Sequence, residues 1–190
     1  MRMAESKRTS IRIAYLFSGK YRSADGLAAF ASELGKELGI EVIIDEYDTE
    51  NGVEGDLAND QRWGVIEDRL LTNYYDAMVE SPPCSTFTEA RTGGDEWDPQ
   101  PLRTPEGDGR YGRSDLKGQD KEDARMGTLL SLRAARAAEI CLQVSVPWLL
   151  EQPWTEEHET SMLNLDEWRE VLAELKDADM PFETRTRVVQ

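Results

Sequence analysis

Cys84 follows two prolines, Pro82 and Pro83, at the point where an apolar run gives way to a polar one. Neither proline can extend a sheet ladder, so the pair marks backbone shaped to present the next side chain, and a thiol on such a turn is a candidate nucleophile. The other cysteine, Cys141, falls on the apolar side of a helical pattern and reads as a small core residue. Glu151 comes directly after Trp148-Leu149-Leu150 and before Gln152-Pro153. Flanked by Trp148 and Trp154, its carboxyl is expected to be partly desolvated and suited to donating a proton or a hydrogen bond; the competing reading is an ordinary strand-end residue. Asp45 and Glu46 close an earlier apolar run, where an acidic side chain can accept hydrogen bonds from a ribose. In a chain with 38 acids, a solvated loop carboxylate is the plainer alternative there. Phe17-Ser18-Gly19 closes the first apolar run, where backbone N–H groups and a helix N-terminus can face a ligand.

Positioning these residues requires strands that end where they stand. Ile11 to Phe17 reads as a strand, followed by a turn at Ser18-Gly19 and a helical pattern through Leu27, Phe30 and Leu34 that stops at Gly35 or Gly39. Ile40 to Ile44 and Tyr75 to Val79 read as further strands around a helical face of Trp63, Ile66, Leu70 and Leu71. From about 85 to 120 the chain turns to Gly, Pro, Asp, Arg and Thr without period, the pattern of a long polar loop. Asp123 to Val144 is strongly amphipathic, Val146 to Leu150 is a strand, Leu165 to Leu175 is a helix capped near Asn164, and Phe182 to Val189 alternates as a last strand. Strands alternating with helices predict a single α/β domain over residues 1–190. Its sheet should be Rossmann-like and mainly parallel, flanked by helices, with ligands at the carboxyl ends of the strands.

Composition bounds the function. The chain has 190 residues and a formal charge of −16, with a pI near 4.5. No apolar stretch approaches the ~20 residues a bilayer needs, so no membrane partner is expected. Two cysteines and one histidine, His158, exclude a disulfide scaffold, a four-ligand Cys/His zinc cluster and any mechanism needing two histidines. Residues 1–10 do not read as a secretory signal, and a cytoplasmic setting is expected. Phosphates would repel such a chain at long range, so contact with nucleic acid must come from local features or a helper.

Phe17-Ser18-Gly19, an acid after the second strand, Gly55-Asp56-Leu57, Pro82-Pro83-Cys84 and Glu151-Gln152-Pro153 occur in the order of the motifs of the DNA cytosine-5 methyltransferases, which this chain resembles over about residues 11 to 153. The resemblance implies an S-adenosylmethionine-dependent methyltransferase fold. It implies that Cys84 adds to carbon 6 of a flipped-out cytosine while Glu151 holds ring nitrogen 3 and the exocyclic amine, so that carbon 5 can accept a methyl group. It further implies that Phe17, Ser18, Gly19 and Pro82 line S-adenosylmethionine, that Asp45 or Glu46 binds its ribose, and that Asp56 meets its adenine. Glu183-Thr184-Arg185-Thr186-Arg187 matches the arginine spacing of a further family motif, which makes Arg185 and Arg187 candidate catalytic residues. The chain departs from the family at Lys20-Tyr21-Arg22, where more glycines are usual, at Ser85, and at Gln152 where asparagine is usual. It also stops at Gln190 without a target-recognition domain. DNA, rather than RNA, is the implied partner. Its backbone would be met by Arg91, Arg103, Arg110, Arg113 and Lys117 in the long loop, or through a second copy or a partner chain that supplies recognition; the plainer alternative is a disordered surface loop whose own acids, Glu89, Asp95, Glu96, Asp98, Glu106, Asp108 and Asp115, cancel those charges. A thymidylate-synthase-like modifier also presents Pro-Pro-Cys, but the polar Ser85-Thr86-Phe87-Thr88 stands where an apolar strand should follow. The alternative from another class is a non-catalytic descendant whose acidity mimics DNA.

Overall fold

The computed structural model describes residues 9–22, 24–87, 100–153 and 160–177. The chain divides into two compact units, residues 1–81 with 143–150, and residues 82–142 with 151–190.

The first unit is built on four parallel strands, β1 (Ser10–Leu16), β2 (Glu41–Tyr47), β3 (Ala77–Glu80) and β4 (Trp148–Leu150), in the order β2-β1-β3-β4. The α/β architecture with a parallel sheet is as expected, but β2 runs three residues beyond Ile44. Its pairing with β1 continues to Tyr47 opposite Leu16, which places Asp45 and Glu46 inside the strand. β3 likewise ends on Glu80. Helix α1 (Leu27–Leu38) covers one face of the sheet and α2 (Asp60–Leu71) the other. The faces are told apart by parity: α1 lies against Val42, whereas Arg69 of α2 bonds the Tyr47 hydroxyl, five residues further along β2. Asn59 caps α2 through its side chain, and Trp63, Ile66 and Leu70 form the buried face of that helix.

The packing of α1 is not what its leucines suggest. Gly35 is its buried residue, so close to the sheet that a Cβ there would meet Val42 Cγ2 at 2.5 Å and the Ile40 carbonyl oxygen at 2.6 Å. The close sheet-side approach is made at Gly35, and Leu27, Phe30, Leu34 and Leu38 are left exposed.

The second unit holds α3 (Gly118–Val144), whose last two residues enter the first unit, and α4 (Asp166–Asp177). A seam of Ala134, Ala135, Ala137 and Ala138 on α3 is buried, as are Trp168, Val171 and Leu175 on α4, and Trp168 Nε1 donates to Ser131 Oγ at 3.2 Å. The Tyr111 hydroxyl caps the start of α4, accepting from the Asp166 amide at 3.1 Å and donating to Glu167 at 2.9 Å. The strand expected over Phe182 to Val189 lies outside the described residues. Among the described residues no helix is long and apolar enough to cross a membrane.

Candidate functional site

In a parallel sheet of this order the strand sequence reverses between β1 and β3, and ligands bind beyond the carboxyl ends at such a switch point. At the end of β1 the backbone is unusual. Phe17 is buried at a φ of 58° and Gly19 sits at 68°. A bulky residue in the left-handed region persists only where its surroundings impose it. Here the imposing groups come from the turn after β2. Asp48 Oδ2 accepts the Gly19 amide at 3.0 Å, and Asn51 Nδ2 donates to the Gly19 carbonyl at 2.9 Å and to Ser18 Oγ at 3.2 Å. Asn51 Oδ1 also accepts the Tyr21 amide at 2.7 Å. Asp48 is in turn held by the Glu50 amide at 3.0 Å and by Gly55, whose backbone approaches so closely that a Cβ would lie 2.3 Å from the Asp48 carbonyl oxygen. The outer side of Gly19 is open, with no heavy atom within 4 Å of a Cβ built there.

The acid that meets this loop is therefore Asp48, three residues beyond Asp45. Asp45 is engaged elsewhere: its Oδ2 accepts from Arg12 at 3.4 Å and from the Tyr75 hydroxyl at 3.1 Å. Tyr75 and Tyr47 share a 2.6 Å hydrogen bond that Arg69 joins. Burial and that bond to Tyr47 hold the Tyr75 phenol above its ordinary pKa. Glu46 has the opposite strand parity, and partial burial raises its carboxyl. Asp56 closes its own turn by accepting the Ala58 amide at 2.9 Å. The Asp48 signal was present in the sequence as a short polar cap before a turn, Asp48-Thr49-Glu50-Asn51-Gly52.

Glu80, the last residue of β3, carries no signal in the sequence, because the apolar run stops at Val79. It shares the strand face of Met78, is 0% exposed, and neither carboxyl oxygen has a hydrogen-bond partner among the described residues. Burial raises its pKa well above the ordinary carboxylate range. Glu80 pairs with Leu16 on one side and Leu150 on the other, so Phe17, Ser81 and Glu151 each follow directly on one of these three residues.

Pro82, Cys84, Glu151 and Gln152 belong to the second unit. Pro82 is buried, Cys84 is half-buried, and Gln152 Nε2 donates to the Pro82 carbonyl at 2.8 Å, tying the two strand exits together. Glu151 is exposed, contrary to the desolvated setting expected from its tryptophan neighbours; Trp154 lies outside the described residues. Cys84 opens a turn closed by its carbonyl oxygen accepting the Phe87 amide at 2.8 Å.

Arg103 clamps that turn. It donates to the Thr86 carbonyl at 3.1 Å, Thr86 Oγ1 at 3.1 Å, the Arg110 carbonyl at 2.8 Å, Thr128 Oγ1 at 2.9 Å and the Ala124 carbonyl at 2.8 Å. Its guanidinium also lies 3.7 Å from the centroid of Phe87. Gly127 leaves room for this approach, since a Cβ there would be 2.3 Å from Thr86 Oγ1. Desolvation pulls the pKa of Arg103 down to about 10. Arg103 is therefore a buried structural cation, and the expectation that it meets a phosphate backbone is corrected. Arg110 is paired with Asp166 at 2.9 Å, and Arg113 forms a fork on Asp115 at 2.6 and 3.0 Å. Lys117 is exposed; Arg91, Arg185 and Arg187 lie outside the described residues. Among the described residues no cluster of His, Cys, Asp and Glu could hold a metal ion.

No protein-family model, no curated protein and no solved structure matches this chain.

Proposed function

We propose that the chain is a cytosine-5 methyltransferase-like protein acting on DNA, with Cys84 as nucleophile. The observation that carries this reading is the pairing of β3 with β4 up to Glu80 and Leu150. From those residues the Pro82-Pro83-Cys84 and Glu151-Gln152 segments leave side by side, joined by the Gln152 to Pro82 hydrogen bond. The Cys84 thiolate forms a bond to carbon 6 of the base, Glu151 holds the pyrimidine edge, and carbon 5 becomes nucleophilic. S-adenosylmethionine, when bound, supplies the electrophilic methyl group. Loss of the carbon 5 proton to water leaves the electron pair that expels the thiolate from carbon 6, which restores the ring and regenerates Cys84.

The strained Phe17, the open face of Gly19 and the spare lone pairs of Asp48 fit a bound nucleoside. So does α1, which has no side-chain cap and no acid in its first turn, so that its leading N–H groups can receive a carboxylate. Under this reading Asp48 takes the ribose role first assigned to Asp45 or Glu46. Asp48→Asn is expected to weaken S-adenosylmethionine binding about tenfold in calorimetry, because an amide cannot accept on both sides as the carboxylate does. Unchanged affinity would remove Asp48 from the site.

The central test is covalent capture. Carbon 5 of 5-fluorocytosine carries no proton to lose, so DNA containing it should remain bonded to the wild-type protein in the presence of S-adenosylmethionine and survive denaturing electrophoresis. Cys84→Ser should give no such band. Failure of the wild type on both single- and double-stranded DNA, together with no cofactor heat, ends the enzymatic reading. It would favour the acidic, non-catalytic binder, which is supported by the commitment of the Gly19 amide to Asp48 and by the charge of −16.

A further inference from the structure

Leu27, Phe30, Leu34 and Leu38 recur at the spacing of one helix row and fall within about 80° of each other at 100° per residue. They are 40%, 61%, 55% and 58% exposed. Single exposed leucines are ordinary, but an unbroken four-residue stripe marks a place of interaction. The stripe points outward because Gly35 makes the close sheet contact, so turning the helix to bury the stripe would lose the approach to Val42.

The edge of the stripe identifies the occupant. On the same projection Glu33 and Glu37 border the leucines on the solvent side, about one turn apart, while Lys36 faces away. Both glutamates are exposed, and neither takes part in an ion pair among the described residues. A second copy is a poor match. A two-fold antiparallel pairing of α1 with itself would set Glu33 and Glu37 against the same two acids, in molecules that each carry −16. We propose that α1 is the docking surface for an amphipathic helix of another protein, whose apolar row covers Phe30 and Leu34 and whose flanking lysines or arginines meet Glu33 and Glu37. Such a partner brings the positive charge that this chain lacks. The proposal does not depend on Cys84 chemistry.

The probe is a pair of synthetic peptides of about 18 residues, long enough to be helical, with leucines along one stripe and either lysines or glutamates beside it. Fluorescence anisotropy near physiological salt should show the lysine peptide binding the wild type at least about tenfold more tightly than the glutamate peptide. Phe30→Ser with Leu34→Ser should weaken the lysine peptide by about tenfold or more without altering the circular dichroism spectrum, since both side chains are exposed. Glu33→Lys with Glu37→Lys should reverse the preference between the peptides. The proposal is overturned if the lysine peptide does not bind, or if the serine variant binds it as well as wild type does. It is also overturned if sedimentation shows that the wild type self-associates through this stripe and the serine variant does not.

Discussion

Arg103→Met is expected to destabilise the protein by about 3 kcal/mol or more, the largest loss for a single substitution outside the apolar cores. The guanidinium makes five hydrogen bonds and stacks on Phe87, and its removal strands carbonyl and hydroxyl oxygens in a buried space at about 1 kcal/mol or more each. Arg103→Lys should recover only a small part, because a point ammonium with three donors cannot span acceptors on Thr86, Arg110, Ala124 and Thr128 together. Urea denaturation followed by circular dichroism gives the loss directly. Because Thr86 and Phe87 belong to the turn that Cys84 opens, alkylation of Cys84 by iodoacetamide should also change rate in both variants at urea concentrations where they are still folded. A methionine variant within about 1 kcal/mol of wild type, alkylated at the wild-type rate, would show that the turn holds itself.

The second large effect runs the other way. Glu80→Met should stabilise the fold, and the gain should depend on pH. In the folded state burial holds the Glu80 carboxyl well above its ordinary value of 4.5, which is the value it regains on unfolding. A group raised in this way contributes its full stability below pH 4.5 and loses it as pH rises through the folded pKa. In that window the native state binds one proton more than the unfolded state, so stability falls by about 1.4 kcal/mol per pH unit. Methionine has no proton to lose and no orphaned oxygens, so its advantage should be about 1–3 kcal/mol at acid pH and should widen at that slope above pH 4.5. Glu80→Gln should track the protonated wild type at low pH and exceed it at neutral pH. Chemical denaturation at several pH values provides the test. A difference between variant and wild type that is constant with pH would mean that Glu80 does not retain its proton.

How much of this was legible in the sequence depends on which interaction decided each feature. Periodicity was enough for the four strands and four helices of the described residues, because each apolar run is local, and their alternation was enough for a parallel sheet. Strand ends were set by partners far along the chain. β2 continues to Tyr47 because Leu16 pairs with it, and nothing near Ile44 announces that. The apolar row of α1 was visible, but not its outward direction, since the choice was made by what Gly35 allows against Val42. Arg103 looked like one base among several in a polar segment. Its burial follows from five acceptors contributed by four other residues, a convergence that no local pattern contains. For the candidate site, the order of short motifs indicated the strand exits that Gln152 and Pro82 join. The Asp48 clamp and the orphaned acid of Glu80 required the register of the sheet.

The sheet order also shapes how the chain comes off a ribosome. β3 ends at Glu80, yet its outer neighbour β4 begins only at Trp148, after most of the second unit has been made. At about 5–20 residues per second, the outer edge of β3 waits several seconds with its hydrogen-bonding groups unpaired. During that interval the nascent first unit is a three-stranded sheet with an open apolar edge, the state in which a chaperone or a neighbouring chain would find it. Closing that edge requires β4 to pair with β3 across a large separation in sequence, which makes its insertion the expected slow step in folding.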